Sequence, residues 1–376
     1  MIQNIFQDIK LPALGLGCMR LPTTDGNEEN VDIPAVKEMV KYALDNGVNY
    51  FDTAWMYHRH TSETVMGEVL SEYPRESYFL ASKFPGFSLE SMNKIDEIFS
   101  EQLKKCRTDY FDFYLFHSVS DSNIDWYLDE KYGLLNYLLE KKQQGIIRHL
   151  GFSAHSTPEK MERFLKQYGR YMEFCQIQLN YLDRTLQNAE EKVNLLKSYS
   201  IPVWVMEPLR GGSLCSLSEE NINKLSSVSP EMTPAEWGFR YISGIKEVCV
   251  TLSGMSNLSQ LKENIRIFSV DRKLTDKEKL ALFSVADSII GGETVHCTGC
   301  RYCTAYCPQG LNIPELIRIL NVDKYSEDGA VAPGKLASLP DSQKPTACIK
   351  CHACEEVCPQ GIKIPDVLRE LAERHG

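Results

Sequence analysis

Short apolar runs alternate with amphipathic stretches along most of this chain. Short apolar runs fall near 13–18 (ALGLGC), 48–53 (VNYFDT), 78–83 (YFLASK) and 110–117 (YFDFYLFH), the last three rich in β-branched or aromatic residues. Four more fall near 147–153 (IRHLGFS), 174–180 (FCQIQLN), 202–207 (PVWVME) and 248–253 (VCVTLS). Each is short and bounded by polar or glycine-containing segments, which predicts strands. The stretches between them carry helix signals. Val36, Met39, Val40, Ala43 and Leu44 form an i, i+3, i+4 stripe. Ser156-Thr157-Pro158-Glu159, Thr233-Pro234-Ala235-Glu236 and Thr275-Asp276-Lys277-Glu278 read as capping boxes. Eight strand–helix units in succession predict an α/β chain with a (β/α)8 TIM barrel. The alternative is an open doubly wound sheet, which would favour a G-x-G-x-x-G turn after the first strand. Only Gly15 and Gly17 stand there.

The periodic pattern ends with a predicted helix at 276–290, stopped by Gly291-Gly292. This divides the chain into a barrel at 1–291 and a smaller domain at 292–376. Within the second part a short helix is predicted at 314–321. A loop-like stretch follows (SEDGAVAPGKLASLPDSQKP), and an amphipathic helix from Ile364 to Arg374 closes the chain.

The second part is marked by a repeat. Cys297, Cys300, Cys303 and Cys307 precede Pro308; Cys348, Cys351, Cys354 and Cys358 precede Pro359. Each run is C-x2-C-x2-C-x3-C-P and continues as Pro-Gln-Gly. The runs resemble those of two-cluster bacterial ferredoxins, which implies a small α-rich ferredoxin-like domain with two [4Fe–4S] clusters. Three closely spaced thiolates wrap one cube and the fourth reaches the other. The expected ligand sets are Cys297, Cys300, Cys303 with Cys358, and Cys348, Cys351, Cys354 with Cys307. Zinc sites more often use two spaced pairs, and disulfides need an oxidising compartment.

Charge and composition narrow the partners. The chain has 376 residues, 43% hydrophobic and 24% charged, with a net charge of −10 and a pI near 5.4. An acidic chain argues against a nucleic-acid partner. No apolar run approaches a membrane span, and MIQNIFQDIK lacks the form of a signal peptide. Eight of the 13 cysteines lie in the two runs; Cys18, Cys106, Cys175, Cys215 and Cys249 are scattered and read as reduced thiols. The expected location is the cytoplasm.

In a barrel, reactive groups sit at the C-terminal ends of strands. There this sequence places Asp52, Lys83 and His117, with Tyr57 in the loop after Asp52. Singly each is ordinary; together they make a proton donor. An ammonium beside a phenol favours tyrosinate, a carboxylate holds the ammonium, and a neutral imidazole orients a carbonyl oxygen.

On those residues the chain resembles the aldo/keto reductases. Tyr50-Phe51-Asp52-Thr53-Ala54-Trp55-Met56-Tyr57 with Ser62-Glu63 and Gly67 matches that family's first signature. Ala81-Ser82-Lys83, Asp112 to His117, Ile147 to Ser153, Gln176-Ile177-Gln178, and Glu207-Pro208-Leu209 with Gly211-Gly212 match later motifs. The resemblance implies a catalytic tetrad of Asp52, Tyr57, Lys83 and His117, with Tyr57 as general acid. It implies that Ser153 and Gln176 hold a nicotinamide carboxamide. Met206, Pro208, Leu209, Arg210, Gly254, Gln260, Glu263 and Asn264 take the remaining cofactor-binding positions. The chain departs from the family pattern in three respects. Ala154 stands where Asn is usual, and Met206 stands where an aromatic often stacks. Gly254 and Gln260 replace the Lys and Arg that grip a 2′-phosphate, which shifts the expectation from NADPH toward NADH or a flavin. His58, Arg59 and His60 read as a solvated loop. The sharper alternative is recognition of an anion or substrate, joined by Arg20 and Arg210.

The preferred reading is a NAD(P)H-dependent oxidoreductase of aldo/keto reductase type. It acts on a small carbonyl or alcohol, with two clusters for electron transfer and a redox partner protein. A second reading is a flavin (FMN)- or ferredoxin-linked oxidoreductase on the same barrel. A third is an electron-transfer protein using the barrel as scaffold, against which the tetrad counts.

Overall fold

The computed structural model describes residues 1–120, 123–292, 294–325, 331–337 and 339–375. The first two strands have no counterpart in the sequence reading. β1 (Gln3–Phe6) and β2 (Ile9–Pro12) pair antiparallel, turning through Gln7 at φ 52°. Eight parallel strands follow. They are β3 (Leu14–Gly17), β4 (Tyr50–Asp52), β5 (Phe79–Phe84), β6 (Phe111–Val119), β7 (Ile147–Ala154), β8 (Phe174–Gln178), β9 (Val203–Met206) and β10 (Val248–Ser253). Each pairs with the next, and β10 closes on β3. The closed barrel replaces the doubly wound alternative.

Phe6 explains the hairpin. Its ring lies 5.1 Å from Trp204 and 5.8 Å from Phe113, centroid to centroid, near the starts of β9 and β6. It meets Trp204 edge to face and Phe113 at a tilt, and large aromatics packed so bury much apolar area. The hairpin therefore plugs the N-terminal end of the barrel, and the chemistry falls to the other end.

The helix Ile33–Asp45 buries Val36, Met39, Val40 and Ala43, with Leu44 at the edge of the stripe. The helix Asp276–Ile290 begins with a reciprocal capping box. Glu278 N–H donates to Thr275 Oγ1 at 3.3 Å, and Thr275 N–H donates to Glu278 Oε2 at 2.8 Å. Thr233 caps Pro234–Ser243 through Glu236 N–H at 3.2 Å. The third box is corrected. Thr157, not Ser156, caps Pro158–Tyr168, accepting from Lys160 N–H, because Pro158 takes the first helical position.

The chain forms two compact units: Met1–Leu209 with Leu214–Ala286, and Arg210–Ser213 with Asp287–Gly376. The second has its own core, in which Leu316, Leu320, Leu368 and Leu371 are buried. Its helices include Ile313–Tyr325 and Ile364–His375. The stretch read as loop-like is partly helical, at Val331–Ala337. Ala332 and Leu336 are buried in the core, and Pro333 falls in the first turn, where no helical N–H is needed. Residues 326–330 and 338 of that stretch lie outside the described residues. Among the described residues no helix is long and apolar enough to cross a membrane.

Candidate active site and cluster cradle

β4 ends on Asp52, β5 carries Lys83 as its penultimate residue, and β6 carries His117. Parallel register brings their C-terminal ends together. Lys83 Nζ lies 2.6 Å from Asp52 Oδ1, 2.8 Å from the Thr53 carbonyl and 3.4 Å from the Tyr57 hydroxyl. The three donors of the ammonium thus meet three oxygens. Asp52, Tyr57, Lys83 and His117 are 3%, 7%, 0% and 2% exposed. A buried ammonium persists only when so paired. Burial raises the Asp52 carboxyl above its ordinary range, against the pull of Lys83 and Gln176. Burial, then Lys83 and His155, hold the His117 imidazole well below its ordinary value. His117 is neutral, and its ring meets Tyr57 edge-on at 6.0 Å.

Motif residues Glu63, Ser82 and Tyr114 hold this arrangement together with Gln102, Gly86 and Tyr127, which carry no local sequence signal. Gln102 Nε2 donates to the Lys83 carbonyl (3.0 Å) and to Glu63 Oε1 (2.7 Å), while Gln102 Oε1 accepts from Tyr114. Ser82 Oγ donates to Glu63 Oε1 at 2.6 Å. All are buried, and burial raises the Glu63 carboxyl. Tyr127 hydroxyl donates to the His117 carbonyl at 2.7 Å and accepts from Gly86 N–H at 3.0 Å. A Cβ on Gly86 would come within 2.4 Å of Tyr127, so only glycine fits.

In the loop after Tyr57, Arg59 and His60 are exposed, as the solvated reading expects, and His58 departs from it. His58 is buried, at 5% exposure. Its Nε2 accepts from Leu21 N–H at 3.0 Å, and its Nδ1 lies 2.9 Å from the Glu28 carbonyl. Arg59 is exposed, 3.7 Å from Glu29; His60 is exposed and meets Trp55 edge-on. All three have positive φ, at 50°, 47° and 74°. A left-handed residue other than glycine costs about 1–2 kcal/mol, so three in succession must be held from outside the turn. Arg20 forms an ion pair with Glu207 at 2.9 Å.

The cysteine runs enclose two cavities. One is lined by Cys297, Cys300, Cys303 and Cys358, the other by Cys348, Cys351, Cys354 and Cys307. In each, the fourth thiol comes from the other run. The thiols sense one another in the same sets. Burial raises Cys303, with Cys300, Cys297 and Cys358 adding to it. Burial pushes Cys354 up to about 11, with Cys348, Cys307 and Cys351 adding to it. Four thiols that resist joint ionisation suit a cationic iron centre. The backbone repeats as well. Gly299 and Lys350 share positive φ (65°, 57°), as do Arg301 and His352 (both 63°) and Gly310 and Gly361 (62°, 63°). A cube spreads its irons, so its thiols need not meet at a point. Among the described residues no three His, Cys, Asp or Glu side chains converge on a single-ion site.

The profile of the aldo/keto reductase family matches residues 13–285. The chain belongs to the aldo/keto reductase family. A 4Fe-4S dicluster domain follows at residues 296–362. Uncharacterized oxidoreductase YqkF of Bacillus subtilis is 27% identical over 308 residues, covering 74% of this chain and 93% of that protein. Methylglyoxal reductase DkgB of Salmonella typhi is 28% identical over 286 residues, covering 75% and 97%. The holo structure of aldo-keto reductase AKR11C1 from Bacillus halodurans is similar with a TM-score of 0.63, at 24% identity, over 76% of this chain and 96% of that one. That likeness is one of fold.

The positions where an aldo/keto reductase is expected to meet its cofactor have different settings here. Ser153 and Gln176 are register partners on β7 and β8, both buried. Ser153 Oγ accepts from Ser118 N–H at 2.7 Å, and Gln176 Oε1 is buried without a hydrogen-bond partner among the described residues. Met206 ends β9, followed by buried Pro208 and half-buried Leu209. Gly254 is exposed beyond β10. Gln260, Glu263 and Asn264 are engaged nearby. Gln260 Oε1 accepts from Ser256 N–H (2.8 Å), Glu263 Oε1 from Thr233 Oγ1 (2.7 Å), and Asn264 Nδ2 donates to Ser253 Oγ (3.1 Å). Arg210 belongs to the second unit, where its guanidinium donates to the His296 carbonyl (2.9 Å) and to Gln360 Oε1 (2.7 Å).

Proposed function

We propose that the barrel interconverts a small carbonyl compound and its alcohol with a nicotinamide cofactor, through Asp52, Tyr57, Lys83 and His117. The observation that carries this is the single ammonium of Lys83 touching both Asp52 Oδ1 and the Tyr57 hydroxyl. When bound, the nicotinamide supplies or accepts the hydride. Tyr57 gives its proton to the carbonyl oxygen, and the Lys83 ammonium stabilises the phenolate left behind. Asp52 keeps that ammonium in place. His117, neutral, binds the substrate oxygen without competing as an acid.

The residues present fit the cofactor. A carboxamide offers an N–H to Gln176 Oε1, which lacks a partner, and an oxygen to the Ser153 hydroxyl, which still has its proton to give. Gly254 and Gln260 provide no cation for a 2′-phosphate, which favours NADH at least as well as NADPH. DkgB is named for methylglyoxal, which suggests a small oxoaldehyde as the first substrate to try. In the second unit the two cysteine sets suit two [4Fe–4S] clusters, which exchange single electrons with a redox partner protein. Oxidation of NADH by anaerobically purified protein, with methylglyoxal and other small aldehydes, tests the reading. Substrate-dependent loss of NADH absorbance supports it; no turnover with either dinucleotide on any carbonyl contradicts it.

A further inference from the structure

We infer that His58 is a positioning residue, whose imidazole locks the left-handed turn that sets the Tyr57 hydroxyl against Lys83. The inference rests on the reading in which Tyr57 is the proton donor.

A backbone N–H can only donate and a carbonyl can only accept. Leu21 N–H faces Nε2 and the Glu28 carbonyl faces Nδ1, so Nε2 is bare and Nδ1 carries the proton. The neutral ring in this one tautomer satisfies both. Of His58, Arg59 and His60, only His58 is buried. The C-terminal side of the turn is fastened separately. Thr61 N–H and Oγ1 donate to the His58 carbonyl (3.0 and 2.7 Å), and Ser62 N–H donates to the Tyr57 carbonyl (3.2 Å). Ser62 Oγ donates to the Cys18 carbonyl at 3.0 Å. The His58 ring ties the turn to Leu21 and Glu28 by two hydrogen bonds, beside the longer, exposed ion pair of Arg59 with Glu29. Three successive residues at positive φ relax once that tie is cut. The contact most exposed to such drift is Lys83 Nζ to Tyr57 hydroxyl, at 3.4 Å the longest of the three that Lys83 makes.

The test uses three variants of the full chain. His58→Ala removes both bonds. His58→Gln places an amide oxygen where Nε2 accepts, and His58→Asn places an amide N–H where Nδ1 donates. His58→Ala is expected to lower kcat by about 10–100-fold, since small misplacements of a catalytic group have effects of that order. KM for NADH stays close to that of the parent, and the Gln and Asn variants recover part of kcat. If His58→Ala does not fold, the Gln and Asn variants, each retaining one bond, are expected to lie between parent and inactivity. Parental kcat in the Ala variant, or Gln and Asn variants no better than Ala, overturns the inference. The ring nitrogen shifts of His58 by NMR give a reading without turnover. Protonated Nδ1 with bare Nε2 near neutral pH supports the lock, and the opposite tautomer or an imidazolium overturns it. Parental turnover by Tyr57→Phe overturns the reaction assigned to the tetrad, whereas the wrong tautomer overturns the lock alone.

Discussion

Lys83 Nζ and Asp52 Oδ1 lie 2.6 Å apart, both nearly sealed from solvent, so neither charge is tolerable without the other. Lys83→Met leaves the carboxylate buried and alone. It is expected to destabilise the barrel by about 3–5 kcal/mol and to cut kcat by about 10²-fold or more. Adding Asp52→Asn removes the stranded charge and restores part of the stability while activity stays lost. Urea unfolding followed by tryptophan fluorescence checks this; a double variant no more stable than Lys83→Met contradicts it.

His117 gives a pH dependence with a definite sign. Burial holds its folded-state value well below the ordinary one, while the unfolded chain binds a proton near pH 6.5. Below that pH the unfolded state holds more protons, so stability is full above about pH 6.5 and falls on acidification. The slope contributed by this one group is at most about 1.4 kcal/mol per pH unit. Urea midpoints at about pH 7 and pH 5 are expected to move less in His117→Gln than in the parent. Equal movement would show that His117 titrates normally.

The crossed cysteine sets predict an outcome that run-by-run ligation does not. Cys300 and Cys358 lie in different runs but line one cavity. The double variant Cys300→Ser with Cys358→Ser is therefore expected to keep one cluster, about four irons per chain from about eight in the parent. Loss of both clusters, measured by iron content and low-temperature EPR, would mean that each run binds its own cube.

The cofactor preference follows from two uncharged positions, Gly254 and Gln260. Fluorescence titration is expected to give NADH and NADPH affinities within about fivefold of each other. Gln260→Arg is expected to shift the ratio toward NADPH by about tenfold, the worth of one good charge-assisted contact to phosphate. A strong NADPH preference in the parent would refute this account of the dinucleotide site.

The barrel strands are legible because each is a short, dense apolar run, and strand ends then place Asp52, Lys83 and His117 without further information. The hairpin is not legible. Gln3–Phe6 and Ile9–Pro12 are four residues each, interrupted by polar Gln3, Asn4 and Lys10, and the ring of Phe6 meeting Trp204 and Phe113 reveals their purpose. Val331–Ala337 hides for another reason: Pro333 and Gly334 read as loop formers, and burial of Ala332 and Leu336 overrides them. Gln102 and His58 show the limit most clearly. Gln102 lies inside an ordinary amphipathic helix, and the Leu21 amide that His58 holds is 37 positions away in sequence. Such partners follow from tertiary contact, which neither periodicity nor motif spacing encodes.

The central claim is that Tyr57, poised by Lys83, delivers the proton in carbonyl reduction. The most direct measurement is the single-turnover rate of NADH oxidation by anaerobic Tyr57→Phe protein with a reducible aldehyde, beside the parent, with iron content confirmed equal. A fall of about 10²–10⁴-fold is expected for loss of a general acid; an unchanged rate would contradict the assignment.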